Sequence, residues 1–189
     1  MPGGVPSTRD ACALVLAGGL STRFGSDKAL ALFRGAPLFA YVAAGLRARG
    51  FAQICVVAKE PERYALAGIE MVRDLTPLLT PLAGLHAGLV ASRHERVFAC
   101  AADMPFAASD AALLEALLKA APAVASHGGQ VQPLCSAWLR SLALPRIEAL
   151  VQAGAGVRAF SEAMSAAIIE WPEGRPFLDA DTPDALAGF

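Results

Sequence analysis

The chain has 189 residues, of which 55% are hydrophobic and 17% charged, with a formal net charge of −1. That length supports one domain with a substantial core, and that apolar fraction excludes disorder. The near-neutral charge argues against a general nucleic-acid or membrane-surface binder, and no apolar run approaches the roughly 18 residues that span a bilayer.

Residues 1–10 are rich in Gly, Pro and Ser and read as a loose tail. Residues 11–17 behind Arg9 imitate a signal peptide. The run is very short, however, Asp10 sits beside it, and Gly-Gly-Leu-Ser-Thr-Arg follows instead of a cleavage site, so it reads as a strand. The apolar core of that strand is 13–17, with Val15 at its centre. Gly18 and Gly19 break the pattern, and a polar loop follows: Ser21-Thr22-Arg23-Phe24-Gly25-Ser26-Asp27-Lys28. After 29–33 comes the turn Arg34-Gly35-Ala36-Pro37. Pro37 suits the start of a helix over 38–49, which Gly50 caps.

A second strand is expected over 51–58, a short helix over 61–67, and a short strand over 70–73 with Asp74 at its end. The turn-rich stretch 75–81 contains two prolines and leads into a helix over 82–92. Another apolar strand, 96–102, ends at Asp103-Met104-Pro105. Ser109 and Asp110 offer an N-cap for a helix over 111–121. Extended segments at 124–126 and 131–139, joined by His127-Gly128-Gly129-Gln130, read as a hairpin arm over the site. A helix over 140–153 with Pro145 at its start, a short helix within 154–164, a strand over 168–171, a loop or short strand over 176–181 and a last helix turn opened by Pro183 complete the chain. Near-continuous apolar strands alternating with helices predict an α/β fold with a parallel sheet covered on both faces. No repeat or linker divides the chain, so residues 11–189 read as one domain. The four cysteines, at 12, 55, 100 and 135, form no C-x-x-C pair, which excludes the usual zinc and redox motifs and fits buried free thiols in a reducing cytoplasm.

A buried strand emptying into a Gly-rich, hydroxyl-rich, basic loop reads either as a phosphate cradle or as a solvated β-turn. Arg23 and Lys28 would lie over a polyphosphate in the first case. The loop is not a P-loop, because Ser26 and Asp27 separate Gly25 from Lys28 and Ala29 follows it. It is not a dinucleotide fingerprint either, because its first two glycines are adjacent. In open α/β sheets ligands bind beyond the carboxyl ends of strands. The loop, Asp74, Asp103 and the pair Asp179 and Asp181 all fall at such ends. Any one Asp after a strand is commonly a turn or capping residue, but four features at one end of a sheet indicate a site. Asp103 follows an apolar run, where a carboxylate needs a cation. Mg²⁺ fits, since it takes one or two carboxylates plus substrate phosphates. His86, His94 and His127 form no ligand or catalytic spacing.

The order of residues in L-A-G-G-x-S-x-R-F-G-x-D-K, from Leu16 to Lys28, resembles the signature loop of nucleotidyltransferases that handle molybdopterin, above all the molybdenum cofactor guanylyltransferase family. Phe24 stands where that family has Met. Thr80-Pro81-Leu82-Ala83-Gly84 resembles the family's G-P-L-A-G at a helix start, where small residues and the helix dipole suit a nucleotide. Read from the residues alone, it is an N-cap, Thr80, with Pro81 at the first helical position. Cys100-Ala101-Ala102-Asp103-Met104-Pro105 resembles the C-x-D-x-P that presents the family's metal-binding Asp, with one residue more. Asp179-Ala180-Asp181-Thr182-Pro183 stands where the family has N-x-N-T-P, so two asparagines are aspartates here. Val56-Val57-Ala58-Lys59 lacks the family's Asn after the second strand, and Gln132-Pro133 stands for its His-Pro pair.

The resemblance implies a three-layer, mostly parallel Rossmann-like sheet of the nucleotide-diphospho-sugar transferase type. It implies transfer of GMP from GTP to the terminal phosphate of molybdopterin or the molybdenum cofactor, with release of pyrophosphate. Arg23, Lys28 and Asp103 would carry the chemistry. Leu16, Ala17, Gly18, Gly19, Ser21, Gly25, Lys28, Asp74, Leu82, Gly84 and Asp103 would bind GTP, with Asp74 accepting from guanine. Mg²⁺ would sit on Asp103, with Asp181 as a second ligand. The expected setting is cytoplasmic, with molybdoenzymes or cofactor-delivery proteins as further partners and neither nucleic acid nor membrane among them. Cytidylyl transfer to the same pterin, a sugar-phosphate or terpenoid nucleotidyltransferase, and a cofactor-handling chaperone without chemistry remain open as alternatives.

Overall fold

The structure, a computed structural model, describes residues 7–17, 27–74, 76–78 and 80–178. The first strand, β1, is Ala11–Leu16. Residues that were expected in a loose tail instead form a 3-10 turn, Thr8–Asp10, capped by the Ser7 side chain. The Thr8 hydroxyl donates to the carbonyl of Arg49 at 2.6 Å, and the Thr8 carbonyl accepts from the amide of Ala52, which fixes the turn to the next strand.

After β1 comes a small antiparallel hairpin, β2 (Leu32–Phe33) with β3 (Ala36–Pro37). Arg34 and Gly35 both take positive φ, at 50° and 83°, as a tight type I′ turn requires. Helix α1 (Leu38–Ala48) follows, and Gly50, with φ of 80°, turns the chain out of it. Next come β4 (Gln53–Ala58), a 3-10 turn Pro61–Tyr64, β5 (Glu70–Arg73), α2 (Pro81–Ala91) and β6 (Arg96–Ala101). The second half holds α3 (Ala111–Ala120), β7 (Ala123–His127), β8 (Gln130–Leu139), α4 (Arg140–Gln152), α5 (Val157–Ala163) and β9 (Ala167–Glu170).

Seven strands form one sheet in the order β5-β4-β1-β6-β8-β7-β9. Only β8 runs against its neighbours: it pairs antiparallel with both β6 and β7, and the other pairings are parallel. This is the mostly parallel, three-layer arrangement that the apolar runs and the resemblance imply. It corrects one expectation. The 124–139 region does form the expected hairpin, β7 with β8, but as part of the sheet rather than a separate arm: residues 135–139 of β8 lie between β6 and β7. Pro145 also departs from expectation, lying inside α4 rather than opening it, where it removes one backbone donor from the helix.

The strand sequences explain the layers. On β1, Ala11, Ala13 and Val15 enter one core, where they meet Phe39, Val42 and Leu46 of α1. Cys12 and Leu14 enter the other, where they meet Leu82, Leu85 and Leu89 of α2. Helices cover both faces, so both sets of alternate residues are apolar and no polar face is left to show period-two patterning. Helix α3 joins α1 on the first face, and α4 and α5 join α2 on the second. Helix α2 lies very close to β1 at Gly88. A Cβ built there would come within 2.4 Å of Leu14 Cδ1, so only Gly allows this approach. The cysteines lie on β1, β4, β6 and β8, buried and unpaired, as expected of structural thiols. Burial pushes Cys135 up to about 12.

Candidate active site

The carboxyl ends of β1, β4, β5, β6, β7 and β9 point the same way, as the parallel pairings and the reversed β8 require. Ladder hydrogen bonds carry the strands to that rim: Ala17 N–H donates to Val57 O at 2.8 Å, Ala102 N–H to Leu16 O at 3.1 Å, and Asp74 N–H to Ala58 O at 3.0 Å. Leu16 and Ala17 are thus held by main-chain bonds where the signature loop departs. Gly18, Gly19, Ser21, Arg23 and Gly25 of that loop lie outside the described residues, as do Asp179 and Asp181 near the C-terminus.

Lys28 is where the loop returns to the site. Its ammonium donates to Asp103 Oδ2 at 2.8 Å, although the two residues are 75 positions apart. The Lys28 side chain is 12% exposed and that of Asp103 is 29% exposed. The chain therefore brings together its expected triphosphate cation and its expected metal carboxylate. Among the described residues Lys28 is the one side chain that bonds Asp103, which leaves Asp103 Oδ1 open to a further cation.

Asp27 holds Lys28 in place, a role the sequence reading did not assign. It is the N-cap of the 3-10 turn Lys28–Leu30, with Oδ1 accepting from Ala29 N–H at 3.1 Å. Its Oδ2 accepts a hydrogen bond from the Tyr64 hydroxyl and lies 3.5 Å from the Arg63 guanidinium. Burial, then the Asp27 contact, pushes the Tyr64 phenol well above its ordinary value, so it stays a donor. An Asp directly before a short helical turn was a legible cap signal. Nothing in the sequence marked Tyr64 as its partner.

Asp74 differs. It follows β5 as expected, but its side chain is only 6% exposed and both oxygens are engaged: Oδ1 accepts from Thr76 N–H at 3.0 Å, and Oδ2 sits 2.8 Å from Lys59 Nζ. Thr80 caps α2 by accepting from Leu82 N–H at 3.1 Å, with Pro81 in the first turn. The Thr80 hydroxyl also donates to Ala155 O at 3.1 Å. The Leu82 side chain is buried. A Cβ on Gly84 would stand 3.7 Å from Leu16 Cδ2 and 3.9 Å from Val57 Cγ1, an ordinary contact, so packing alone does not require Gly there.

The far half of the rim holds a third acid. Glu170, the last residue of β9, accepts from the Ser126 hydroxyl at 2.5 Å and from Gly129 N–H at 3.4 Å. The Ser126 hydrogen bond in particular holds its carboxyl below the usual range. His127 stacks on Phe177, and its Nδ1 lies 2.9 Å from Trp171 O, so it has a structural place. Arg175 lies over the Phe106 ring at 4.9 Å.

The arrangement can bind polyphosphate: a strand-to-loop exit, a partly buried lysine and a half-open carboxylate converge at the rim of a parallel sheet. Similarity to known proteins points the same way. A protein from Deinococcus radiodurans called a probable molybdenum cofactor guanylyltransferase is 40% identical over 147 residues, covering 75% of this chain and 74% of its own. The molybdenum cofactor guanylyltransferase of Cereibacter sphaeroides is 33% identical over 180 residues, covering 92% of each. The crystal structure of molybdopterin-guanine dinucleotide biosynthesis protein A from Archaeoglobus fulgidus superposes with a TM-score of 0.73 at 22% identity, covering 94% of this chain and 95% of that one. The family model for the MobA-like NTP transferase domain matches residues 13–168, and the chain belongs to that family.

Proposed function

We propose that this protein is a molybdenum cofactor guanylyltransferase. A terminal phosphate oxygen of molybdopterin, or of its molybdenum-loaded form, attacks the α-phosphorus of GTP. The bond from that phosphorus to the α,β-bridging oxygen breaks, and pyrophosphate carries away the electron pair. The acceptor brings its own nucleophile, so positioning and charge neutralisation are what the protein must supply. Guanylyltransferases at 33–40% identity support the reading of substrate and reaction.

The observation that carries the site is the Lys28–Asp103 pair at 2.8 Å, with Asp103 29% exposed. Lys28 is placed to bind the triphosphate and lower its charge as the bond breaks, and Asp27 with Tyr64 keeps it there. The residues fit Mg²⁺: among the described residues Asp103 has one oxygen without a partner, and Mg²⁺ takes one or two carboxylates with substrate phosphates and water as its other ligands. Asp103 would hold it, with Asp181 as the second candidate. When bound, Mg²⁺ supplies charge neutralisation on the phosphates. Arg23 would join Lys28 on the triphosphate, and Gly18, Gly19, Ser21 and Gly25 would let the backbone approach it. Leu16, Ala17, Leu82 and Gly84 would line the nucleoside side beside Asp74.

No helix among the described residues is long and apolar enough to cross a membrane. We place the protein in the cytoplasm, passing its product to molybdoenzymes or to proteins that deliver the cofactor. The test is pyrophosphate release with molybdopterin, Mg²⁺ and each of the four nucleoside triphosphates. GTP should be used at least tenfold better than CTP. A preference for CTP would assign the cytidylyl reaction instead, and nucleotide binding without release would assign a carrier.

A further inference from the structure

Lys59 stands where the sequence offered only an absence, the missing Asn after the second strand, yet its ammonium is fully engaged. It is the first residue beyond β4, and Asp74 is the first beyond β5; the two strands pair in parallel with Ala58 opposite Arg73. An ammonium has three N–H donors. Those of Lys59 meet three oxygens: Asp74 Oδ2 at 2.8 Å, Leu78 O at 2.6 Å, and Thr76 O. Asp74, Thr76 and Leu78 are thus gathered on one ammonium. The Lys59 backbone is held as well, its carbonyl accepting from Arg73 Nη1 at 2.8 Å.

On the proposed function the loop that carries Thr76 and Leu78 flanks the nucleoside, beside Asp74. It leads directly to Thr80, the cap of α2, and α2 brings Gly84 against Leu16 and Val57. Asp103 follows β6, which lies on the other side of β1 from β4 in the sheet, and it holds Lys28 of the 3-10 turn Lys28–Leu30. On the proposed function Lys59 therefore holds the Asp74 side of the site, across β1 from the strand that leads to the carboxylate proposed for Mg²⁺. From this placement we infer that Lys59 is the positioning residue that fixes the base-side wall of the nucleotide site and so sets base selectivity, an inference that rests on the function proposed above. Without its ammonium, a buried carboxylate and two carbonyls face one another with no cation between them. The loop must then open, and Asp74 loses its fixed orientation.

The expected signature is a split between binding and turnover. Lys59→Met should raise KM and Kd for GTP at least tenfold, hold kcat within about threefold, and shrink the GTP-over-CTP preference. Lys59→Arg keeps the charge but not the geometry, so it should restore part of the preference. Steady-state kinetics with GTP and CTP, with direct binding of each by calorimetry, read all of these, and near-ultraviolet circular dichroism verifies folding. If Lys59→Met does not fold, Lys59→Arg carries the test, with a smaller KM effect in the same direction. The inference is overturned if a folded variant keeps both its GTP affinity and its base preference, or if kcat falls while KM stays. The wild-type profile with all four nucleotides tests the proposed function separately. Should wild type prefer another base, GTP fails as the substrate, while loss of that other preference in Lys59→Met would still uphold the wall.

Discussion

Two lysine–aspartate pairs stand at the same rim, each with N–O separation of 2.8 Å, and they are built for different tasks. In Lys59–Asp74 the carboxylate is 6% exposed and its second oxygen takes a backbone N–H. Every bonding direction of the ammonium is spent on the protein. In Lys28–Asp103 the carboxylate is 29% exposed and, among the described residues, its second oxygen has no partner. Distance does not separate the two pairs here; the unspent capacity of the acid does. A saturated acid holds its own chain, whereas a half-used one can take a substrate or a metal.

That contrast can be broken by mutation. The largest effect is expected at Asp103. Asp103→Asn keeps the shape and removes the charge, so turnover should fall on the order of 10²–10³-fold, about 3–4 kcal/mol of transition-state stabilisation. The thermal midpoint should hold. Pyrophosphate release against Mg²⁺ concentration measures it, and wild-type rate with wild-type Mg²⁺ dependence would remove Asp103 from the metal site. Lys28→Ala should slow transfer by about 10²-fold, since one preorganised cation is lost, and should leave a folded protein. Loss of the folded signal in circular dichroism would make Lys28 structural.

Stability should divide the pairs in the opposite sense. Asp74→Ala removes a largely buried carboxylate that holds both the Lys59 ammonium and the Thr76 amide and should cost about 1–3 kcal/mol in urea unfolding. Asp103→Ala removes a partly exposed partner and should cost less than about 1 kcal/mol. Equal losses would end the distinction. The smallest effect is at Glu170, an acid held by neutral donors. Its folded pKa lies below its unfolded one, so its contribution is present above the unfolded value and is lost as pH falls through the folded value. The wild-type urea midpoint should fall more steeply between about pH 5 and pH 3 than that of Glu170→Gln. Parallel curves would show that the Ser126 contact adds nothing to stability.

The first half of the sheet was legible because β1, β4 and β6 are buried on both faces and so read as unbroken apolar runs. Gly50, Thr80 and Asp110 announced their helix ends through ordinary capping chemistry. The second half was less legible. The polar start of β8 extends past the end of β6, so it read as an exposed hairpin, although its later residues, from Cys135 to Trp138, are fully buried. Sequence spacing cannot report that a strand is bonded on both edges. At the site, Lys28 and Asp103 stood out because each sits in a patterned motif. Tyr64 and Lys59 did not, because what matters about them is a partner 37 residues away in one case and a loop up to 19 residues away in the other.

The reversed strand β8 has a consequence for inheritance. It is the seam between the two halves of the sheet, and Lys28, Lys59, Asp74 and Asp103 all precede it in the chain. On the proposed function, nucleotide choice is written in one contiguous stretch of the gene, to which β7, β8 and β9 are joined in the sheet along the β6–β8 ladder. Chimaeras of two relatives crossed over in the turn after Asp103 should take their nucleotide preference from the amino-terminal parent. If Asp181 shares the metal with Asp103, such chimaeras should keep the base preference of that parent while their Mg²⁺ dependence follows the carboxy-terminal one.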